Sequence, residues 1–422
     1  MTRLRLEQAL ERKEKLMGAL DVVVPQGAES AGQSGSKDAG AQHAGSDALA
    51  KLHALGADFA RRGAIADREG VIPEDNLREL HAAGLFNVTH SARLGGPDGS
   101  LSGAAPGLFL QMLRTICRYD NATGHCFQLH NHALWQLEEI GTPDQIERYV
   151  RPALEKFSVF SAVGSEPNRV NMYEMKTQAR RVEGGWIVNG VKNFVTNGTI
   201  ADVILVSVAV EGPATFPDNL QMLIVEHDQP GVSWDDAWYR PHGMRSARSP
   251  VMHLKDVFVP FENALGEPGA FARQRWQGRF HLGFAANYLG TTEGLFDWFV
   301  RYMRERNKVQ DGLAQLRIGE VKMRIDAASA LFDEAVARWK HSAVVEAELR
   351  AMSAKSNAAR VAFDALQTVF LTAGATAQFD HHPLGRIARN IETFVVHAGH
   401  DKTAQIIGQA ELGASFDSTL QR

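Results

Sequence analysis

The chain has 422 residues, of which 44% are hydrophobic and 22% charged, with a formal net charge of −4. That length allows two or three packed domains of ordinary globular composition. The charge excludes an electrostatic footprint for nucleic acid, and no apolar run reaches the roughly 18 residues of a membrane-spanning helix.

The start, Met1 to Lys15, mixes basic residues with glutamates and lacks the apolar core of a secretory signal. The expectation is a soluble cytoplasmic protein. Residues 1–20 read as one amphipathic helix, with Leu4, Leu6, Leu10, Leu16 and Leu20 among charges. Residues 25–47 are rich in Gly, Ala and Ser and read as a flexible linker. From Ala48 to about Glu155 the pattern is helical. Leu52, Leu55, Phe59, Leu77, Leu80 and Leu85 recur at helix spacing, with breakers at Pro73 and Gly95-Gly96-Pro97. Cys117 and Cys126 fall in this apolar region and read as buried thiols, and no cysteine spacing of metal type occurs.

From about Phe157 to Glu267 the period changes to two. Val203–Val208, Leu220–Val225 and Val251–Val259 are β-rich runs, which predicts a small β-barrel or sandwich. From Gly269 helices return. Val321, Ile325, Ala328, Phe332, Ala335 and Trp339 form one apolar stripe, and Met352 to Leu371 predicts a further long helix. The expected domains are 1–47 (helix and linker), 48–155 (helical), 156–268 (β) and 269–422 (helical bundle). The fold class is α+β, mostly α.

Two segments carry the chemistry. One is Gly164-Ser165-Glu166-Pro167. The other is Lys192-Asn193-Phe194-Val195-Thr196-Asn197-Gly198, with a turn–strand–turn over Gly184–Gly190 between them. Together they resemble the flavin-holding middle of the acyl-CoA dehydrogenase superfamily. Asp67–Pro73, Leu80–Leu85, Gly243–Ser246 and Leu254–Pro260 resemble it as well, so the likeness spans residues 48–410. It implies an N-terminal helical domain, a central β-barrel domain and a C-terminal four-helix bundle, assembled as a homotetramer through the bundle.

The resemblance also implies roles. Ser165 takes the place of the hydroxyl that meets flavin N1 and O2, and Thr196 the place that meets N5. Phe194 replaces a Trp that stacks on the ring. Without a ligand, Ser165 and Thr196 would be ordinary turn and edge-strand hydroxyls. For the phosphate end, Arg306-Asn307-Lys308-Val309-Gln310 stands for the family's Arg-x-x-Phe-Gly, and Arg317 for a downstream Gln. Gly374-Ala375-Thr376-Ala377 stands for Gly-Gly-x-Gly. The glycine changes alter the close backbone approaches of that motif. They point to FMN, with FAD as the alternative. Arg306, Arg317 or Arg386 could bind a phosphate, or form surface ion pairs.

The family's catalytic glutamate falls at Ala398 in Val396-His397-Ala398-Gly399-His400. Alanine cannot take a proton. A histidine at this turn resembles the two-component flavin monooxygenase branch, such as dibenzothiophene monooxygenase. Those enzymes accept reduced FMN from a separate NAD(P)H-dependent flavin reductase, bind O₂ and form a C4a-hydroperoxyflavin. The reading is a monooxygenase of a small organosulfur or aromatic substrate, with His397 managing the proton of the peroxide.

Asp120–His132 supplies further histidines. His125 and His130 lie five apart on a helix and cannot be equally placed. His130 with Asn131 is the preferred pair on the substrate side, the alternative being a capped or surface role. His125, His130 and His132 lack metal-ligand spacing. Two other functions stay open. One is an acyl-CoA dehydrogenase whose base has moved to Glu267 or Glu293. The other is a non-catalytic binding module on the same fold.

Overall fold

The computed structural model describes residues 35–168, 175–339, 341–397 and 399–418, with side chains from residue 45 onward except that of His397. The expected helix at 1–20 lies outside them. Helix α1 (Gly35–Glu69) corrects the linker expectation, since 35–47 are helical. The run Ala39-Gly40-Ala41-Gln42-His43-Ala44 lacks proline, and Ala and Gln are good helix formers, so the helix continues upstream from its apolar part. Residues 41–422 form one compact unit, and of 1–40 only the first turns of α1 are described.

α1 stops at Gly70, whose φ of +66° suits glycine. Pro73 then caps α2 (Glu74–Ala82). α3 (Leu108–Tyr119) and α4 (Asn121–Ile140) follow. Nearly every residue of α4 is buried, its polar ones included. Asp120 fixes its start by accepting from the Thr123 N–H at 2.9 Å and the Thr123 hydroxyl at 2.7 Å. Cys117 and Cys126 are free and buried.

The strands are β1 (Phe160–Val163), β2 (Gln178–Val182), β3 (Gly185–Lys192), β4 (Val203–Val210), β5 (Leu220–Glu226), β6 (Val232–Asp235), β7 (Val251–Pro260) and β8 (Ala264–Leu265). They form one mixed sheet in the order β6-β7-β3-β2-β4-β5-β8, with β1 parallel to β4. No ladder joins β6 to β8 among the described residues, so the expected barrel is not closed by hydrogen bonds. β4 is buried along almost its whole length, which is why it reads as a continuous apolar run.

The last region holds α5 (Trp276–Glu305), α6 (Gly312–Arg338), α7 (Val344–Ala373), α8 (Leu384–Phe394) and α9 (His400–Glu411). The predicted stripe on α6 is buried from Val321 to Ala335, against α5 and α7. α5 also packs on α3, where Gly290 and Gly294 bring the helices close: a Cβ there would lie 2.1–2.2 Å from the Arg114 and Arg118 carbonyls. The loop before β7 docks on α8. Gly243 N–H donates to Thr393 Oγ1 at 2.8 Å and Met244 N–H to Asn390 Oδ1 at 2.7 Å. A Cβ on Gly243 would fall 1.8 Å from the Arg389 carbonyl, so the approach requires glycine. No helix among the described residues is long and apolar enough to cross a membrane.

Candidate functional site

Glu166 lies in the turn after β1, and Lys192 closes β3. Their side chains are 1% and 0% exposed and meet at 2.7 Å. Glu166 also accepts from the N–H groups of Lys176 at 2.7 Å and Thr177 at 2.9 Å. Burial alone would raise the Glu166 pKa, but Lys192 and these donors hold it below the usual carboxylate range. The pair fastens the two loops together. Asn193 N–H then donates to the Ser165 carbonyl at 3.1 Å, which sets the half-buried Ser165 beside the second loop.

Beyond Lys192 the chain turns sharply. Phe194 and Asn197 have φ of +54° and +69°. Left-handed backbone is costly for a bulky residue and marks a site held by its surroundings. It leaves the Phe194 ring 51% exposed, edge-on to the half-exposed Trp238 at 5.1 Å. Asn197 anchors the far side, donating to the carbonyls of Cys126 at 3.0 Å and Phe160 at 3.3 Å.

Thr196 is buried between these anchors. Its carbonyl accepts from Ser161 Oγ at 2.5 Å. Its hydroxyl lies 3.2 Å from His125 Nε2 and 3.0 Å from Ser249 Oγ. Burial pushes the His125 pKa down to about 4, against a smaller opposing effect of Gln128. The imidazole is therefore neutral at neutral pH. Phe394 packs edge-on to it at 4.7 Å. Ser165, Phe194 and Thr196 thus sit on one pair of joined loops, with His125 and Ser249 behind them.

His130 and Asn131 lie buried on another face of α4. His130 Nδ1 accepts from the Phe160 N–H at 3.1 Å, so Nε2 carries the proton and donates to Asn87 Oδ1 at 2.8 Å. Its ring stacks on Phe86 at 3.9 Å. Both nitrogens are engaged within the protein core. Asn131 donates to the carbonyls of Phe86 and Phe127 and accepts from Thr89, so its amide is likewise occupied. The histidine that reaches Thr196 is His125. The available signal was the spacing Asn121, His125, Gln128, His132, one polar face of α4 at steps of four, three and four. Ser249 carried no such signal.

The other predicted residues belong to the bundle. Arg306 is exposed just past α5. Arg317 pairs with Glu320 at 2.8 Å on α6. Gly374 ends α7 with φ +77°, and a Cβ there would meet nothing within 4 Å. Tyr302 OH, 3.0 Å from Thr376 Oγ1, joins that turn to the end of α5. Arg386 is not free for phosphate, since it is ion-paired with the buried Asp120. Of the relocated-base candidates, Glu293 is held by Arg114 at 2.6 Å and Glu267 is exposed. The side chain of His397, and Ala398 altogether, lie outside the described residues. His400 next to them is occupied by the Val395 carbonyl at 2.7 Å.

Three family models match, described as the N-terminal, middle and C-terminal domains of acyl-CoA dehydrogenase, over residues 55–156, 162–257 and 282–402. The chain belongs to the acyl-CoA dehydrogenase family. It is 26% identical to dibenzothiophene monooxygenase of Mycolicibacterium goodii over 78% of this chain and 85% of that protein. It is 24% identical to a short-chain-specific acyl-CoA dehydrogenase of Clostridium acetobutylicum, over 79% and 88%. Among solved structures, FMN-bound TdsC from Paenibacillus sp. A11-2 superposes with a TM-score of 0.80 at 20% identity, covering 88% of this chain and 99% of that one. Butyryl-CoA dehydrogenase from Megasphaera elsdenii gives 0.77 at 22%, covering 87% and 98%. These two likenesses establish the fold.

Lys192→Met strands a buried carboxylate and should cost roughly 3–5 kcal/mol, with Glu166→Gln/Lys192→Met recovering part of it. Urea unfolding measures both, and a loss below about 1 kcal/mol for the single variant would contradict the assigned role.

Stability should also fall on mild acidification. His125 titrates near 4 in the fold against 6.5 unfolded, so between those values the unfolded chain binds a proton that the native one does not. His132, pushed to about 3, acts in the same sense. Glu166 adds its loss only as the pH falls below its unfolded value of 4.5. The urea midpoint at pH 5.5 should lie below that at pH 7.5, and equal midpoints would contradict neutral burial of these histidines.

Proposed function

We propose that the protein is a flavin-dependent monooxygenase that takes reduced flavin, FMN in the first instance and FAD in the second, from a separate NAD(P)H-dependent reductase. Bound flavin would supply the electrons that activate O₂ for transfer to a small organosulfur or aromatic substrate. The observation that carries the reading is the character of the cluster at Thr196. It consists of hydroxyls and a neutral imidazole, while Glu293 is engaged by Arg114 and Glu267 is exposed. Such a cluster can hold and orient a polar ring edge but has no carboxylate to remove a substrate proton.

The residues fit a flat heteroaromatic ligand. Ser165 and the turn at Asn193–Thr196 offer polar groups along one edge, preorganised by the Glu166–Lys192 pair. Asn193 Oδ1 is buried and unpartnered among the described residues. Phe194 and Trp238 offer exposed aromatic surface for a ring face. Arg306, Arg317 and the turn at Gly374 are the proposed phosphate side. His397, in the turn after α8, is the proposed proton-handling group over the reacting centre. Likeness to dibenzothiophene monooxygenase supports this branch of the family.

Homotetramer assembly through the bundle is part of the proposal. α6 carries a second, outward stripe in which Leu313, Leu316 and Met323 are 59%, 54% and 66% exposed. Positions spaced by three and seven on one face suit packing against another helix.

The test couples the protein to a generic flavin reductase with NADH, FMN and O₂, and scores oxygenated product against released hydrogen peroxide over a panel of sulfones, sulfinates, thiophenes and phenols. The wild type should oxygenate at least one class. His397→Ala should lose about 10²–10⁴ in product rate and release peroxide instead. Anaerobic bleaching of bound oxidised flavin by an acyl-CoA would contradict the proposal and establish a dehydrogenase.

A further inference from the structure

Helix α5 keeps one accessible stripe on a side that packs inward. Gln277, Phe280 and Phe284 are half-buried at steps of three and four, and Ala285 to Thr292 are buried throughout. The Phe280 ring stacks on His132 of α4 at 4.3 Å, and the Phe284 ring lies 6.0 Å from the buried Phe394 of α8. Accessible surface on rings packed against buried neighbours marks a slot between the helices, entered near Gln277 and closed beyond Phe284. Its inner end reaches the candidate site, since Phe394 also lies edge-on to His125, which contacts Thr196.

The flanks of that slot hold buried polar atoms without a partner among the described residues. On the α4 side they are Gln128 Nε2 and His132 Nε2, and on the α5 side both ring nitrogens of His281 and the Tyr288 hydroxyl. The α4 pair converges on Gly283, where a Cβ would lie 2.7 Å from His132 Nε2 and 3.0 Å from Gln128 Nε2. Asn287 Nδ2 donates to Gln128 Oε1 at 3.2 Å, so the amide oxygen is engaged and the NH₂ remains. Burial, with His125 adding to it, pushes His132 down to about 3. Burial and the charge of Lys355 push His281 well below its ordinary value. Both rings are therefore neutral, and each carries one N–H. Burial pushes the Tyr288 phenol up, so it keeps its hydrogen. Burying a polar group unpaired is costly, and nearly all such groups in folded proteins find a partner. Four such residues around one slot are compensated by a molecule that enters it.

We infer that this slot is the substrate chamber and that it recognises an oxygen acceptor, with Gln128 and Tyr288 as the specificity-determining donors. The two are joined through α5, because Asn287, which holds the Gln128 amide, precedes Tyr288 in the chain. His132 and His281 add one N–H each. The buried Glu348, beside Gly278 near the entrance, is taken by Arg275 and by the Ser418 hydroxyl. The donors therefore call for an acceptor rather than a cation. The ligand class is a small flat molecule with an oxygen-bearing end, such as a carboxylate, sulfinate or sulfone, and an apolar body held by Phe280, Phe284 and Phe394. The assignment rests on the monooxygenase reading above for the reaction that follows, and it narrows that reading. A wholly apolar thiophene would leave the donors unpaired, whereas an oxygen-bearing ring would satisfy them, and that difference is the discrimination.

The test uses the full-length protein without flavin. Benzoate, benzenesulfinate and methyl phenyl sulfone are the oxygen-bearing probes, one for each source of the acceptor, and toluene is the apolar control. Dissociation constants are read by calorimetry and ligand-observed NMR. At least one oxygen-bearing probe should bind about tenfold or more tightly than toluene. Tyr288→Phe and Gln128→Leu should each weaken that probe about five- to tenfold while toluene holds or tightens. Tyr288→Phe keeps the ring and removes a buried unpaired hydroxyl, so it should also raise the urea midpoint of the ligand-free protein. Three results would overturn the inference: no probe binding more tightly than toluene, equal probe affinity in the wild type and both variants, or a lowered urea midpoint for Tyr288→Phe. Donors satisfied by ordered water alone would give the second result, and a structural hydroxyl the third. Because no flavin is present, each of these leaves the flavin reading standing. Intact probe binding with failure of the reductase-coupled assay would defeat the flavin reading and support the chamber.

Discussion

The buried ion pair between Glu166 and Lys192 is the constraint on which the candidate site depends. Removing two charges from water costs several kcal/mol each, and their attraction offsets that only with good geometry and further hydrogen bonds. Here Glu166 has Lys192 and two backbone N–H groups, so its oxygens are satisfied on both sides. The two residues lie 26 apart in the chain, at the ends of β1 and β3. Joining them brings Ser165 next to Asn193 and points the chain into the left-handed turn at Phe194. A left-handed phenylalanine and a buried charge pair are both unfavourable alone. Their coexistence at one place marks a geometry that the surrounding structure holds in place.

Behind that pair, α4 acts as the spine. One face carries His130 and Asn131, which lock the helix to Phe160, Asn87, Phe86 and Thr89. The other carries Asn121, His125, Gln128 and His132 toward α5 and Thr196. The first face sets the rotation of the helix, and the second uses it. His125 reaches Thr196 because His130 is occupied elsewhere. Asn197 closes the arrangement by tying the strand loop back to the Cys126 carbonyl.

Much of this was legible in the sequence, for identifiable reasons. The change from helical spacing to alternation near residue 157 reflects burial on one face of strands, and the stripe from Val321 to Ala335 reflects a helix with one buried side. Glu166 and Lys192 both fall in the motifs that carried the family resemblance, although a buried pair could not be inferred from them. The sequence could not place His125 against His130, because five residues turn a helix by about 140° and only tertiary contacts fix which side faces the strands. Arg386 read as a phosphate ligand or a surface ion pair, and its buried partner Asp120 could not be named because it lies 266 residues away. The linker ending at Asp47 failed because small residues that punctuate loops also extend a helix begun by its neighbours.

The most direct test of the account is hydrogen–deuterium exchange of the whole protein with and without reduced FMN under anaerobic conditions. Protection should concentrate at Ser165–Glu166 and at Asn193–Asn197, the two loops that the buried pair joins. Protection confined to other surfaces, such as the open cleft lined by Ser91, Trp135 and Glu138, with those loops unchanged, would contradict it.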